Sequence, residues 1–295
     1  MKILKNFLPL FLFFGIYLGS GIYYNDFYAL SPVIIAFGAV AFAIIYFKGS
    51  INKNIDLFLK GAGNEQILTM CFIFFLSGSF SFITKEIGSV DYLVALILNH
   101  ITPQILFIAF FVISCLISFA LGTSVGTIVT LAPLLPGLSS GSNDALILLS
   151  GSLLGGAMFG DNLSIISDTT IAATQTMGVK MIDKFKANGL IAVIAAIITC
   201  VFIYLNQPEF TSSIIHKSDK TSVVLLPYIA IVVLALCRLH VLVVLTISCL
   251  LAITIAFFQD ISFLSISKLA LDGMQSTFEI SLLSLLIGGL SFLIE

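Results

Sequence analysis

Charge is the first thing this sequence lacks. Of 295 residues only 9% are Asp, Glu, Lys or Arg, against 59% hydrophobic, where a soluble domain carries about 25% charged residues. That deficit excludes an ordinary soluble fold and places the chain in the membrane class. It also has no basic run that could neutralise phosphates, and its net charge is −2, which excludes nucleic acid as a partner. The five cysteines (Cys71, Cys115, Cys200, Cys237, Cys249) stand singly in apolar runs without the spacing of a metal site or a disulfide framework, and read as small buried hydrophobes. No nucleophile–base pair or cofactor motif is present, so the chain does not read as an enzyme. The aromatic excess is mostly Phe, with 27 copies, and supplies lipid-facing and core bulk.

What is there is a succession of apolar runs close to the ~20 residues that cross a bilayer. The pattern predicts spans over about residues 7–24, 29–47, 67–84, 103–121, 190–205, 223–237, 241–258 and 278–294. Lys2 and Lys5 precede the first run, which lacks a small-residue cleavage site and reads as a membrane helix rather than a signal peptide. Lysines before the first span and after the second put the N-terminus in the cytoplasm. Residues 48–66, where Lys48, Lys53 and Lys60 alternate with aliphatic residues, and residues 260–275 read as amphipathic segments at the interface. The run 92–98 is too short to cross and reads as a re-entrant piece or part of a bent helix. Lys180, Asp183, Lys184 and Lys186 form a polar, cytoplasmic bend.

The chain is organised around residues 120–176. This stretch is apolar enough for a bilayer, yet is interrupted by Gly122-Thr123-Ser124, by Pro133 and Pro136, and by Gly160 to Ser167. Between Ala145 and Val179 the only charged residues are Asp161 and Asp168. A carboxylate in such surroundings is costly unless a cation, a proton or a helix terminus compensates it. The expectation is a pair of broken helices meeting near the membrane midplane, with residues 160–168 unwound, a short helix from Thr169 to Thr176, and Asp144 as the N-cap of the run 145–159.

A sodium-like cation is hard and takes oxygen ligands. Asp161, Asn162, Ser164, Ser167, Asp168, Thr169 and Thr170 offer two carboxylates, an amide and four hydroxyls within ten residues. Gly122, Thr123, Ser124 and Thr127 add hydroxyls, freed carbonyls and the positive end of a half-helix. Burial in low dielectric lets a carboxylate hold either a proton or a metal ion, but not readily both, which is enough for exchange. A lone Asp among hydroxyl residues reads equally well as a helix cap. Two of them in an apolar chain, beside a broken-helix pattern, read as transport residues that titrate as a pair.

Residues 206–220 are the most soluble stretch and read as a linker between a first transmembrane repeat, 1–205, and the start of a second, 221–295. Two observations support a repeat. The sequence from Ile287 to Glu295 parallels Leu76 to Glu86, each with a small-residue patch, a Ser-Phe pair, an aliphatic residue and a terminal acid. The elements preceding each also come in the same order.

Two motifs carry a family resemblance: Leu121-Gly122-Thr123-Ser124-Val125-Gly126-Thr127, and the run Gly155-Gly156-Ala157-Met158-Phe159-Gly160-Asp161-Asn162-Leu163-Ser164-Ile165-Ile166-Ser167-Asp168-Thr169-Thr170. With them the chain resembles the NhaC family of bacterial sodium/proton antiporters, within the wider ion-transporter superfamily. Relatives usually carry an aromatic or small residue at Val125 and a proline at Ile165, so the bend at Ile165 is made differently. The resemblance implies an all-α polytopic membrane protein with inverted repeats and discontinuous helices, here expected to be truncated because the second broken-helix pair is lacking. It implies Na+/H+ exchange across the bacterial inner membrane by alternating access, with Asp161 and Asp168 holding Na+ and no cofactor beyond the transported Na+ and H+. Expected partners are the lipid bilayer and either a second copy or a separate C-terminal half. Because relatives also exchange small organic anions such as malate and lactate, an anion exchanger of the same fold is the alternative; a positive side chain reaching the site would favour it. A non-transporting fragment that needs a partner chain is the other.

Overall fold

The computed structural model describes residues 6–27, 29–121, 123–164, 167, 170, 181–208, 221–237 and 239–294. Every regular element among them is helical, as lipid demands: a backbone with no water to bond must satisfy itself within each segment. Four of these helices are long and apolar enough to cross a membrane. They are α4 (Glu65–Glu86), α9 (Asn143–Leu163), the Asp183–Leu205 part of α10 (Met181–Leu205), and α12 (Val241–Phe258). The fold is therefore all-α and polytopic. The exposed side chains of α10 agree: Ile191 is 68% exposed and Leu205 73%, a surface suited to lipid and not to water.

The chain divides into two compact units. The first comprises residues 1–75 and 274–295, and holds α1 (Leu8–Tyr24), α2 (Pro32–Tyr46), α3 (Ile51–Ala62), the start of α4 and α14 (Phe278–Ile294). Its core joins Phe13 to Val33, Ala36, Ala39, Val40 and Ala43 of α2 and to Leu286, Leu290 and Leu293 of α14. The small side chains of α2 bring its neighbours close. The amphipathic expectation for residues 48–66 is met by α3, where Ser50 caps the helix by accepting from Lys53 N. Asn54 is buried and its Nδ2 donates to Ile44 O at 2.9 Å and Phe47 O at 3.0 Å, satisfying carbonyls at the end of α2 that no helical partner reaches.

The second unit, residues 76–273, contains the rest of α4, then α5 (Ser89–His100), α6 (Pro103–Leu121), α7 (Ser124–Leu131), α8 (Leu135–Leu138), α9, α10, α11 (Leu226–Leu236), α12 and α13 (Phe263–Ser276). The short run expected at 92–98 belongs to α5, twelve residues long. Pro133 and Pro136 shape the chain beyond α7. Lacking an N–H, they cannot extend the α-ladder, and the backbone tightens into a 3-10 turn over Ala132–Leu134 before α8. Ser140 (φ 47°) and Gly141 (φ 82°) then reverse it. The cap of α9 is Ser142, whose Oγ accepts from Ala145 N at 3.3 Å. Asp144 lies in the first helical turn instead, which corrects the expected capping role. A second core gathers Ile83, Ile87, Val224, Cys249, Ala252, Ile255, Ala256 and Ile266.

Packing of α9 along α6 is the most extensive helix pairing among the described residues. At Gly156 and Gly160 a Cβ would run into the backbone at Phe111 and at Cys115 and Phe119 respectively, so these two glycines permit the approach. Ser118 Oγ seals it by donating to Ala157 O at 2.5 Å. The expected repeat division at 206–220 concerns a stretch of which residues 209–220 lie outside the described residues.

Candidate functional site

Three elements of the second unit build the site: the start of α7, the end of α9 and the first turn of α10. Thr123 is the N-cap of α7, extended at φ −150° and ψ 122°, and its Oγ1 accepts from Gly126 N at 3.3 Å. That cap turns the next residue, Ser124, toward α9. Ser124 Oγ donates to Asp161 Oδ2 at 3.0 Å, so the two motifs, 37 residues apart, meet side chain to side chain. The other oxygen, Asp161 Oδ1, is buried and has no hydrogen-bond partner among the described residues. A buried acceptor of this kind is costly until a proton or cation fills it.

Helix α9 runs through Leu163 and ends at Ser164. Asp161 and Asn162 thus lie in its last turn, and the expected unwinding from residue 160 is corrected to begin after residue 163. The close fit of Gly160 against α6 keeps this turn helical. Ser164 Oγ donates to Phe119 O at 2.8 Å, tying the ends of α6 and α9 together. Thr127 is fully buried and donates to Thr123 O at 3.0 Å, so its hydroxyl serves the α7 backbone. Ser167 and Thr170 are buried, while Asn162 is exposed and meets its neighbours through its carbonyl. Asp168, Thr169 and Gly122 lie outside the described residues.

A residue absent from the sequence-derived set joins them. Lys184 Nζ donates to Asn162 O at 2.6 Å and to Thr170 Oγ1 at 2.5 Å. From residue 181 onward, the bend that reads as cytoplasmic in the sequence is in fact the opening turn of α10. A lysine one turn inside an apolar helix was the available signal, since its long stem can carry the charge away from the apolar run to polar neighbours. Among the described residues no group of three or more His, Cys, Asp or Glu side chains could hold a metal in a cage. The oxygens around Asp161 suit a passing hard cation better than a resident transition metal. A cavity of about 330 Å³ in the same unit is lined by Ile97, Phe110, Leu131, Tyr228 and other apolar side chains; it includes none of the residues just described and is not the site.

A model of the Na+/H+ antiporter family matches residues 11–206, the part of the chain that contains this site. The chain belongs to the Na+/H+ antiporter family. With four membrane-length helices it is a multi-pass membrane protein of that family. It is 30% identical over 160 residues to the malate-2H+/Na+-lactate antiporter of Bacillus subtilis, covering 50% of this chain and 34% of that protein. It is 27% identical over 144 residues to an uncharacterized Na+/H+ antiporter of Haemophilus influenzae, covering 45% and 31% respectively. With the Na+/H+ antiporter NhaC of Bacillus subtilis the identity is 26% over 230 residues, covering 74% and 49%. The chain thus spans about a third to a half of the length of these antiporters. No solved structure matches it.

Proposed function

We propose that the protein acts in a cation-coupled secondary antiporter of the bacterial plasma membrane whose cargo includes a small organic anion, with Asp161 as the seat of Na+ or H+. The observation that carries this reading is Lys184. Exchange of Na+ for H+ needs only oxygens, whereas a carboxylate cargo needs a positive partner, and Lys184 places an ammonium on Asn162 O, the carbonyl of the residue after Asp161, and on Thr170. The malate-2H+/Na+-lactate antiporter among its relatives supports the same cargo class. Plain Na+/H+ exchange is the second reading, supported by the family and by the two other relatives.

In either reading Asp161 alternates between a proton and Na+. Ser124 orients Oδ2, and Oδ1 is left for the ion. Asp168, Ser167, Thr169 and Thr170 complete the proposed ligand set with Asn162 and Ser164, and Gly122, Thr123 and Thr127 form the supporting bend. Inverted repeats, 1–205 and from 221 onward, belong to this proposal, supported by the parallel between residues 76–86 and 287–295.

Reconstitution in proteoliposomes tests it. Lactate or malate trapped inside should exchange only when Na+ or a proton gradient is supplied. Sodium-driven pH change without any anion requirement selects the second reading. Exchange that persists in the Asp161→Ala variant overturns the site assignment in both.

A further inference from the structure

We propose that the cavity bounded by α5, α6, α7 and α11 is a binding site for one acyl chain of a bilayer lipid. It lies within the second unit, apart from the Asp161 site, and the inference is independent of which solutes are exchanged.

The cavity measures about 330 Å³, within the ~300–1,000 Å³ usual for ligand pockets. Ile97 of α5, Phe110 and Ile117 of α6, Leu131 of α7 and Ile231 of α11 line it and are themselves buried. Its rim is Ile229, Val232 and Val233, exposed apolar side chains of α11. That helix carries no charged residue along its length, so the mouth opens onto hydrocarbon.

The wall decides among occupants. Among the described residues no polar atom faces the space. Thr130 belongs to the wall, but its hydroxyl donates to Gly126 O at 2.7 Å, and Tyr228 contributes its ring. A buried water needs about two to four polar partners, so water is excluded. A partner's helix is excluded by width. Helices α6 and α11 pack against each other, and helices in contact lie about 8–10 Å apart, which leaves no gap for a third one about 10–12 Å wide. A single hydrocarbon chain needs neither polar partners nor that width.

Packing is what holds it. Lipid tails are as apolar as the wall, so the chain gains nothing by leaving water. An unfilled space, however, forfeits the dispersion contacts of its lining, and a chain inside it touches several helices at once. Thr130 and Leu131 also place the cavity at the far end of α7, whose first residue, Ser124, reaches Asp161. A bound chain therefore backs the helix that meets the carboxylate.

The protein contains no tryptophan, so a single one can report. Phe110→Trp puts it in the cavity wall, Leu250→Trp on an exposed face of α12, and Phe74→Trp in a buried position outside the cavity. The purified full chain is loaded with phosphatidylcholine brominated on its acyl chains, then exchanged into detergent without lipid. Before exchange, Phe110→Trp and Leu250→Trp should both be quenched and Phe74→Trp should not. After exchange, Phe110→Trp should stay quenched several-fold more than Leu250→Trp. Adding Leu93→Phe, which narrows the cavity, should abolish that retained quenching. Where Phe110→Trp does not fold, Ile113→Trp supplies the same reading. Complete removal of lipid should lower the wild-type melting temperature by roughly 2–4 °C, and phosphatidylcholine should restore it. Quenching lost from Phe110→Trp as fast as from Leu250→Trp overturns the site, because only lipid coating the surface is then present. Quenching of Phe110→Trp no greater than that of Phe74→Trp overturns it too.

Discussion

The hydroxyl of Ser124 donates to Oδ2 of Asp161 at 3.0 Å, across a sequence separation that no local pattern bridges. A hydrogen bond to a charged group contributes about 1.5–3 kcal/mol. Ser124→Ala should therefore weaken the Na+ response of exchange by roughly tenfold or more, and Ser124→Thr should retain most of it. The half-saturating Na+ concentration in proteoliposomes is the measurement.

Asp161→Asn preserves an acceptor for Ser124, so the fold should survive while ion-driven exchange is lost. Asp144→Asn is the matched control. It removes a charge from the first turn of α9, which Ser142 caps, and costs about 0.3–1 kcal/mol of helix stabilisation with exchange retained. An Asp144→Asn variant as inactive as Asp161→Asn, though folded, would contradict the assignment.

Two glycines of α9 should behave oppositely. At Gly160 an added Cβ meets the backbone of α6, whereas at Gly151 it meets nothing within 4 Å. Gly160→Ala should lower stability by about 1–3 kcal/mol through overpacking. Gly151→Ala should be neutral or stabilising by up to about 1 kcal/mol from helix propensity. Thermal melting in one detergent separates them.

Asn54→Leu leaves the carbonyls of Ile44 and Phe47 without their donor. Buried unsatisfied groups of this kind cost about 1–3 kcal/mol each. Melting temperature should fall, and the Na+ concentration dependence of the surviving protein should not change, since Asn54 is no part of the ion site.

Anion binding should depend on Lys184. Lactate binding measured by calorimetry should weaken by roughly tenfold or more in Lys184→Gln, since a charge-assisted hydrogen bond to the carboxylate is lost, and Lys184→Arg should keep most of it.

Apolar runs with polar residues at their ends were legible as helices in the sequence. Pro103–Leu121 and Val241–Phe258 appear at the limits expected, because uninterrupted apolar runs leave the backbone one option in lipid. The end of α9 was not. Gly160 and Asp161 read locally as the start of a break, yet the helix continues to Leu163, since contact with α6 outweighs weak propensity at Gly160. The meeting of the Thr123 bend with Asp161 was anticipated from chemistry, as unpaired carboxylates in lipid need polar company. Asn54 escaped notice because its partners are backbone carbonyls, which every residue has and no sequence pattern marks; Lys184 did because residues 180–186 read as a bend outside the site.

The direction in which α9 runs has a consequence for where charge can settle. Its last turn, where Asp161 and Asn162 sit, is the negative pole of the peptide dipoles, equivalent to about half an elementary charge. The carboxylate deepens that field rather than being offset by it. The ammonium of Lys184, bonded to Asn162 O, is the one charge described there that opposes it. In the proposed exchange a cation is favoured at the Asp161 end of this pole, and an organic anion is received at the lysine.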